Sequence, residues 1–264
     1  MRARLTTVLV TATAVVGIAL AAPAVQAQED PAFDALVFSK TAAFRHDSIP
    51  AGVAAIEALG AEHGFTVTAT EDAAAFTDQN LAQFEVVIWL STTGDVLNDE
   101  QQAAFERYIQ GGGGYAGIHA ASDTEYDWAW YGGLVAAYFL DHPFGPNQFQ
   151  DATVKVAGKG APSNADLPNR WVREEEWYNF RSNPRDAVRV LATVDEKTYI
   201  PNGYTGSSGM GEDHPISWCH SYDGGRAWYT GMGHKSEYFS EPLLLSHIHG
   251  GIQMAAGETT FPCD

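Results

Sequence analysis

The stretch from Gly111 to Asp123 constrains the fold more than any other part of the sequence. Four consecutive glycines end the helical pattern before them, and residues 115–118 then have the length and apolar character of a buried strand. His119 follows this strand directly, at a sharp turn among small residues. In open α/β sheets, ligands bind in the crevice at the carboxyl ends of the strands, so the stretch predicts His119 at such a crevice. The alternative is a glycine-rich connection whose histidine only caps or packs.

Short apolar segments alternate with helical patterns along the rest of the chain. The predicted strands cover residues 34–39, 65–70, 84–90, 150–156 and 188–194, and a later hairpin pairs residues 214–220 with residues 225–234. The predicted helices cover residues 48–64, 98–110, a segment that ends at residue 139, and 242–256. Strands that alternate with helices are typical of a doubly wound α/β fold, in which helices cover both faces of an open parallel sheet.

The first residues predict export from the cell. Two arginines precede an apolar run, and residues 25–27 supply the small side chains that a signal peptidase reads. Residues 1–27 are therefore predicted to be a signal peptide, and residues 28–264 a single secreted domain. A single-pass membrane anchor is the alternative, but the run is rich in alanine and ends at Pro23. No later segment is apolar for long enough to span a bilayer.

The two cysteines, Cys219 and Cys263, both lie late in the chain. Export permits a disulfide, and an even count with no leftover thiol fits one bridge that fastens the C-terminal tail. Two unpaired buried thiols are the alternative, which requires only that their Cα atoms lie too far apart to bridge. Export also argues against a cysteine nucleophile.

The net charge restricts the partners of the protein. A formal charge of −18 at pH 7 repels phosphate backbones and anionic lipids, which argues against nucleic acid and membrane surfaces as partners. Neutral or cationic small molecules remain. No dinucleotide-binding fingerprint follows the first strand, and the sequence contains no phosphate-loop lysine motif. Nothing in the sequence sets an oligomeric state.

Histidines and carboxylates are concentrated in the predicted loops and strand ends. The histidines are His46, His119, His142, His214, His220 and His234, and the nearby carboxylates are Asp123, Asp141, Glu175, Glu176 and Glu237. Two uses compete. Neutral imidazoles with one or two carboxylates form a divalent metal site, most often for zinc, and the expected ligands are His119, His142 and His220. The other use is general acid–base catalysis, for which the expected residues are His46, His119, Glu176 and His234.

Aromatic residues are plentiful beyond His119, and secreted acidic proteins often use exposed aromatic rings to stack on sugars. On this hypothesis, Trp128, Trp130 and Trp177 form a stacking platform for a bound sugar. The other predicted substrate contacts are Arg45, Asp123, Tyr178 and His214. The alternative is that the aromatic residues simply form a large core.

Several motifs resemble the ThuA-like, or trehalose-utilisation, family. They occupy residues 44–46, 113–123, 127–132, 141–143, 175–178, 213–218 and 225–234, and so span nearly all of the predicted mature chain. The fold of this family resembles an offshoot of the class I glutamine amidotransferase fold. The resemblance therefore implies a flavodoxin-like α/β fold with an open parallel sheet. In that fold the position of His119 carries the catalytic cysteine. Because histidine cannot supply the attacking thiolate, the resemblance does not imply amidotransferase chemistry.

The resemblance implies a role in carbohydrate metabolism, which leads to one main hypothesis. The chain is expected to be a secreted enzyme, a hydrolase or lyase, that acts on a small saccharide or an oxidised (keto) sugar derivative. His119 is its expected central acid, base or metal ligand, and glutamates 174–176 assist. The alternative, from a different class, is a carbohydrate-binding module without catalysis.

Overall fold

The computed structural model describes Ala3 and residues 32–264. The predicted signal peptide, residues 1–27, therefore lies outside the described residues except for Ala3. The strands of the described chain are β1 (Asp34–Phe38), β2 (Thr66–Thr70), β3 (Val86–Leu90), β4 (Gly114–Ile118), β5 (Phe139–Asp141), β6 (Gln150–Val156), β7 (Arg170–Glu175), β8 (Asn179–Phe180), β9 (Arg189–Val194), β10 (Pro215–Tyr222) and β11 (Gly225–Thr230). Its α-helices are α1 (Ile49–His63), α2 (Asp78–Leu81), α3 (Asp99–Gln110), α4 (Ala129–Val135) and α5 (Pro242–Ala256).

A mixed sheet lies at the centre of the described chain, with the strand order β2-β1-β3-β4-β11-β10-β9-β6-β7. The first five strands run parallel to one another, and from β11 onward each neighbouring pair is antiparallel. This confirms the predicted α/β fold, although only half of the sheet is parallel. The direction changes because a tight turn at Asp223 and Gly224 joins β10 to β11 without a crossover helix.

Helices cover both faces of this sheet, as the alternating side chains of β3 show. Trp89 packs against Phe105 of α3 and Tyr131 of α4, with ring centroids 5.4 Å and 4.8 Å away. The next residue, Leu90, points to the opposite face, where its side chain would lie 3.0 Å from a Cβ placed on Gly52 of α1. Burial on both faces accounts for the unbroken apolar sequence of β3.

Close packing of α5 on β4 explains part of the glycine run. The predicted helix over residues 98–110 is α3, which Asn98 caps by exchanging hydrogen bonds with Gln101 before the helix ends at the glycines. At Gly114, a Cβ would lie 2.1 Å from the carbonyl oxygen of Ala255 in α5. Only a residue without a side chain fits there, so this glycine lets α5 lie directly on the strand that leads to His119.

The C-terminal tail is fastened to the sheet, as the cysteine count predicts. Cys219 of β10 and Cys263 form a disulfide with their Cα atoms 5.4 Å apart. The predicted hairpin is confirmed as β10 and β11, and the predicted closing helix is confirmed as α5. Among the described residues, none of the helices is both long and apolar enough to cross a membrane.

One predicted helix ends earlier than the sequence pattern indicates. The helix expected to reach residue 139 ends at Val135, and Phe139 instead begins β5. The reason is local: Ala136 adopts a left-handed backbone conformation with a φ of 69°, which terminates the helix. The short strand that follows leads to Asp141 and His142.

Candidate functional site

Loops that follow four strands bring four polar side chains together at one edge of the sheet. These residues, here called the histidine cluster, are His46 after β1, His119 after β4, Glu176 after β7 and His234 after β11. The first, second and fourth of these strands are parallel, and β7 runs in the same direction because four antiparallel steps separate it from β11. Each residue offers one nitrogen or oxygen atom, and these four atoms lie within 4.8 Å of one another.

His119 occupies the strand-to-turn position in a left-handed backbone conformation, with a φ of 52°. Such a conformation is strained for a residue other than glycine, and strain of this kind is concentrated at functional sites. The ring is fully buried, and Nδ1 donates to the carbonyl oxygen of Gly231 at 2.9 Å. In the neutral ring, Nε2 therefore carries the lone pair, which faces Tyr178 Oη at 2.9 Å and His234 Nδ1 at 3.0 Å.

Glu176 is held through both of its carboxylate oxygens. Oε1 accepts from Gln148 Nε2 at 2.7 Å and lies 3.4 Å from His142 Nε2. Oε2 lies 2.8 Å from His234 Nδ1 and 3.6 Å from His119 Nε2. Burial would raise the pKa of this carboxyl group, but the imidazoles of His119 and His234 hold its pKa far below the ordinary value. Glu176 is therefore a carboxylate anion that compensates positive charge placed among the imidazoles.

His46 completes the histidine cluster from the loop after β1. Its ring centroid lies 4.8 Å from those of both His119 and His234, and the three rings stand nearly perpendicular to one another. Burial and the neighbouring imidazoles lower the pKa of His46 to about 2. Within residues 32–264, Nδ1 of His46 is buried without a hydrogen-bond partner. Buried polar atoms in proteins nearly always have a hydrogen-bond partner, so an imidazole nitrogen without one calls for a ligand or another explanation.

The donor set of the histidine cluster fits a divalent transition-metal ion. Three imidazole nitrogens and one carboxylate oxygen are ligand types that zinc and its neighbours accept. Metal-bound histidines commonly donate through their second ring nitrogen to a carbonyl, as His119 does to Gly231. The carboxylate of Glu176 is likewise oriented from outside the cluster, by Gln148. Glu175 accepts from the backbone amide of His234 and so fixes that segment.

The histidine cluster forms the floor of a pocket, here called the histidine pocket, with a volume of about 280 Å³. His46, Glu176 and His234 line it directly, and His119 is buried beneath them. The rest of its polar lining comprises Asp123, His142, Gln148, Tyr178 and Tyr204. Larger hollows of about 570 Å³ beside Trp128 and about 420 Å³ beside the glycine run contain no member of the cluster. The smaller pocket is the candidate site because the ionisable groups converge there.

The structure does not bring the predicted tryptophan platform to this pocket. Trp177 is fully buried, and its indole nitrogen donates to the backbone carbonyl of Gln150. Trp128 and Trp130 stack on each other beside α3, with ring centroids 5.2 Å apart. None of the three lines the histidine pocket, so their rings belong to the packing of the core and of α4.

Three other predicted site residues also lie outside the histidine pocket. His220 Nε2 donates to a backbone carbonyl of α4, so the structure does not bring this predicted metal ligand to the histidine cluster. His214 lies behind the pocket, where Nε2 is bonded to the carbonyl oxygen of Tyr178 at 2.8 Å. Arg45 forms a partly exposed ion pair with Glu71 at 2.6 Å instead of facing the cluster. His214 can thus support the site only through the backbone of Tyr178.

Sequence reasoning missed five residues that line the histidine pocket. They are Phe44, Phe144, Phe139, Gln148 and Tyr204. The first two each lie two residues from a histidine of the motifs that resemble the family, and this proximity is a usable signal. Tyr204 lies in a Gly/Ser-rich loop that carries no such signal, and only the folded chain brings it to the pocket.

Solved structures with the same fold include two ThuA-like proteins. One from Bacteroides uniformis has a TM-score of 0.73 at 24% identity, and the match covers 92% of this chain and 98% of that one. One from Parabacteroides merdae has a TM-score of 0.67 at 18% identity, covering 89% and 97%. A cytoplasmic protein from Salmonella typhimurium has a TM-score of 0.58 at 10% identity, covering 84% and 99%. At these identities the likeness shows the fold alone.

Sequence comparison identifies the family. No curated protein matches the chain. The family model for ThuA, described as trehalose utilisation, matches residues 34–255, which include the whole histidine cluster. The protein therefore belongs to the ThuA family.

Proposed function

We propose that this chain is a secreted, metal-assisted hydrolase or lyase that acts on a small saccharide or an oxidised (keto) sugar derivative in the histidine pocket. The observation that carries the proposal is the convergence of His119 Nε2, His234 Nδ1 and Glu176 Oε2, with separations of 2.8–3.6 Å, beneath an open pocket. The family description, trehalose utilisation, supports a saccharide as the substrate. The disulfide between Cys219 and Cys263 supports export.

The histidine cluster would hold the ion through His46, His119, His234 and Glu176. A divalent ion of this kind polarises a carbonyl or hydroxyl oxygen and lowers the pKa of bound water. Gln148 keeps the carboxylate of Glu176 aimed at the imidazoles through the bond to Oε1. Without that bond the carboxylate could rotate away from the cluster, because the other contact of Oε1, with His142, is longer at 3.4 Å.

His142 is placed to exchange a proton with the substrate. Its Nδ1 donates to the carbonyl oxygen of Pro143 at 2.7 Å, so the neutral ring presents Nε2 as an acceptor in the pocket. Nε2 lies 3.4 Å from Glu176 Oε1, and a substrate hydroxyl can donate between these two acceptors. Asp123, on the pocket wall, accepts from Tyr126 Oη at 2.5 Å and offers its other oxygen to a further hydroxyl.

Amide transfer is not proposed, because the chain has no thiol to form a thioester. Both of its cysteines are joined in the disulfide, and His119 occupies the position at which the related fold carries its nucleophile. A carbohydrate-binding module without catalysis is the second candidate. The buried ionisable cluster favours the enzyme, because binding a neutral sugar does not require three imidazoles and a carboxylate beneath the pocket.

The experiment combines metal analysis with a substrate screen. The exported protein would be purified, its metal content measured, and native and 3-keto disaccharides tested before and after treatment with a chelator. We expect about one divalent ion per chain, and turnover that the chelator removes and the same ion restores. The variant His119→Ala should lose the ion and more than about 100-fold of the turnover. His63→Gln, which removes an exposed histidine, is the matched control.

Three results would count against the proposal. Turnover by fully metal-free protein would overturn the role of the ion. Binding of a sugar without turnover of any tested saccharide would favour the binding module. Equal losses of activity in His119→Ala and His63→Gln would remove the histidine cluster from the reaction altogether.

A further inference from the structure

Three exposed aromatic rings gather at the mouth of the histidine pocket. Phe44, Phe144 and Tyr204 are 62%, 69% and 54% exposed, and all three line this pocket. Within residues 32–264, they are the large aromatic side chains that remain exposed, whereas the other exposed large apolar residues are aliphatic. Single exposed apolar residues need no explanation, but a group at the mouth of one polar pocket marks a binding surface.

Two of these rings pack against histidines that line the pocket. The Phe44 ring centroid lies 4.8 Å from that of His46, and the Tyr204 ring centroid lies 5.2 Å from that of His142. Both pairs meet edge to face, with interplanar angles of 81° and 77°. More than half of the surface of Phe44 and of Tyr204 remains exposed, so part of each ring is available to a ligand that enters from solvent.

The loop that carries Tyr204 is fixed by a buried carboxylate. Asp141 is fully buried and accepts from Thr205, from Ser207 Oγ at 2.8 Å and from Asn179 Nδ2 at 2.8 Å. Burial would raise the pKa of Asp141, but these hydrogen bonds lower it below the ordinary value. The backbone amide of Tyr204 also donates to the carbonyl oxygen of His142, the neighbour of Asp141.

Glycine is required where this loop meets the carboxylate. A Cβ placed on Gly203 would lie 2.0 Å from Asp141 Oδ1, so the residue before Tyr204 cannot carry a side chain. The loop is thus a built turn that is fitted to Asp141. The Asp141–His142 segment therefore positions His142 on the pocket wall and the aromatic ring of Tyr204 at the mouth.

We infer that Phe44, Phe144 and Tyr204 form a stacking subsite for a second sugar ring of a disaccharide or glycoside, whose first ring lies over the histidine cluster. The inference rests on the proposed function and identifies the surface that binds the second sugar ring. The pocket volume of about 280 Å³ is at the lower end of the volumes of ligand sites and suits one sugar ring. A second ring of the same substrate would therefore extend out through the mouth. Flat apolar rings that are exposed to solvent can stack on the apolar face of a pyranose. Asp141 is the positioning residue that acts through Tyr204.

Binding of trehalose and of glucose to the purified, metal-loaded protein tests the inference. Titration calorimetry and saturation-transfer NMR would compare the wild type with Phe44→Ala, Phe144→Ala and Tyr204→Ala. Each variant should lower the ratio of trehalose affinity to glucose affinity by about two- to tenfold. Tyr204→Phe should keep the wild-type ratio, because it retains the aromatic ring. Val172→Ala, an exposed apolar residue on β7 outside the pocket, is the control that should leave the ratio unchanged.

The role of Asp141 has its own readout. Asp141→Asn should lower the affinity ratio as much as Tyr204→Ala does while the bound metal is retained. The double variant should lower the ratio no further, because both changes remove the same contact. Additive losses, or loss of the metal together with the fold, would overturn the role of Asp141 as a positioning residue for Tyr204.

The remaining outcomes separate this inference from the proposed function. If the wild type binds both sugars and the three aromatic variants behave like Val172→Ala, the stacking subsite is overturned and the proposed function stands. The same holds if the wild type binds glucose but not trehalose. If the wild type binds neither sugar and turns over no saccharide, both the subsite and the proposed function are overturned.

Discussion

Nε2 of His119 lies 3.0 Å from Nδ1 of His234, although 115 residues separate the two in the chain. The contact forms because β4 and β11 are adjacent and parallel, so the residues beyond their carboxyl ends emerge side by side. Glu176 reaches the same point from β7 at the far edge of the sheet. The histidine cluster is therefore a product of strand order.

Removing the side chain of Gln148 should weaken metal binding without removing a ligand. The amide of Gln148 holds Glu176 Oε1 at 2.7 Å and so aims the carboxylate at the imidazoles. We expect Gln148→Ala to lower the affinity for zinc by about 10- to 100-fold in a competition with a coloured chelator. Gln83→Ala, in which the lost amide makes only local contacts near α2, is the matched control. Equal affinities for both variants would contradict the orienting role.

Adding one methyl group at Gly114 should disrupt the packing of α5 on the sheet. The new Cβ would lie 2.1 Å from the carbonyl oxygen of Ala255, and a backbone atom cannot rotate aside. We expect Gly114→Ala to lower the free energy of unfolding by about 3 kcal/mol or more, as measured by urea denaturation. Gly111→Ala, whose Cβ would lie 3.3 Å from its nearest neighbour, should change the stability by less than about 1 kcal/mol. Similar losses for the two variants would show that the close approach is not what requires the glycine.

Loss of the disulfide should destabilise the folded chain. The bridge closes a loop with a sequence separation of 44 residues, which restricts the unfolded chain. Chain-entropy arguments predict that Cys219→Ala/Cys263→Ala lowers the free energy of unfolding by about 4 kcal/mol under non-reducing conditions. A reductant should lower the stability of the wild type toward that of the double variant and leave the variant unchanged. If the reductant destabilised both proteins equally, the effect would not come from this bridge.

Acid should destabilise the protein partly through His247 of α5. This ring is fully buried, and burial, together with the charge of Arg173, lowers its pKa to about 4 although the carbonyl of Ser163 opposes the shift. Between pH 6.5 and pH 4, the unfolded chain binds a proton that the folded chain does not, so the stability falls as the pH falls. The contribution of this one group reaches about 3 kcal/mol over that range.

The variant His247→Gln isolates that contribution. It should show a smaller loss of stability than the wild type between pH 6.5 and pH 4, whatever its stability at pH 7. Urea denaturation at several pH values measures the difference. Parallel pH dependences would show that His247 does not contribute, and that other groups account for any acid destabilisation.

Local sequence patterns were sufficient to predict most of the helices and strands and the residues that follow the strand ends. Alternation of apolar and helical segments predicted β1 to β4, α1, α3, the hairpin of β10 and β11, and α5 close to their observed bounds. The glycine run placed His119 at a strand end, and the loop after β1 placed His46 at another. These features depend on burial and turn chemistry over a few residues, which composition and spacing record directly.

Which strand ends face one another was decided only by the tertiary structure. Local sequence does not show what a tryptophan packs against. The fold does not bring the predicted sugar platform of Trp128, Trp130 and Trp177 to the pocket. Phe44, Phe144 and Tyr204 line the pocket instead, and Tyr204 reaches it because Asp141 holds a distant loop against the segment that ends β5. The sequence by itself determined the α/β fold, the family and the turn at His119. Strand order and loop anchoring, which depend on contacts between residues far apart in the chain, decided the composition of the site.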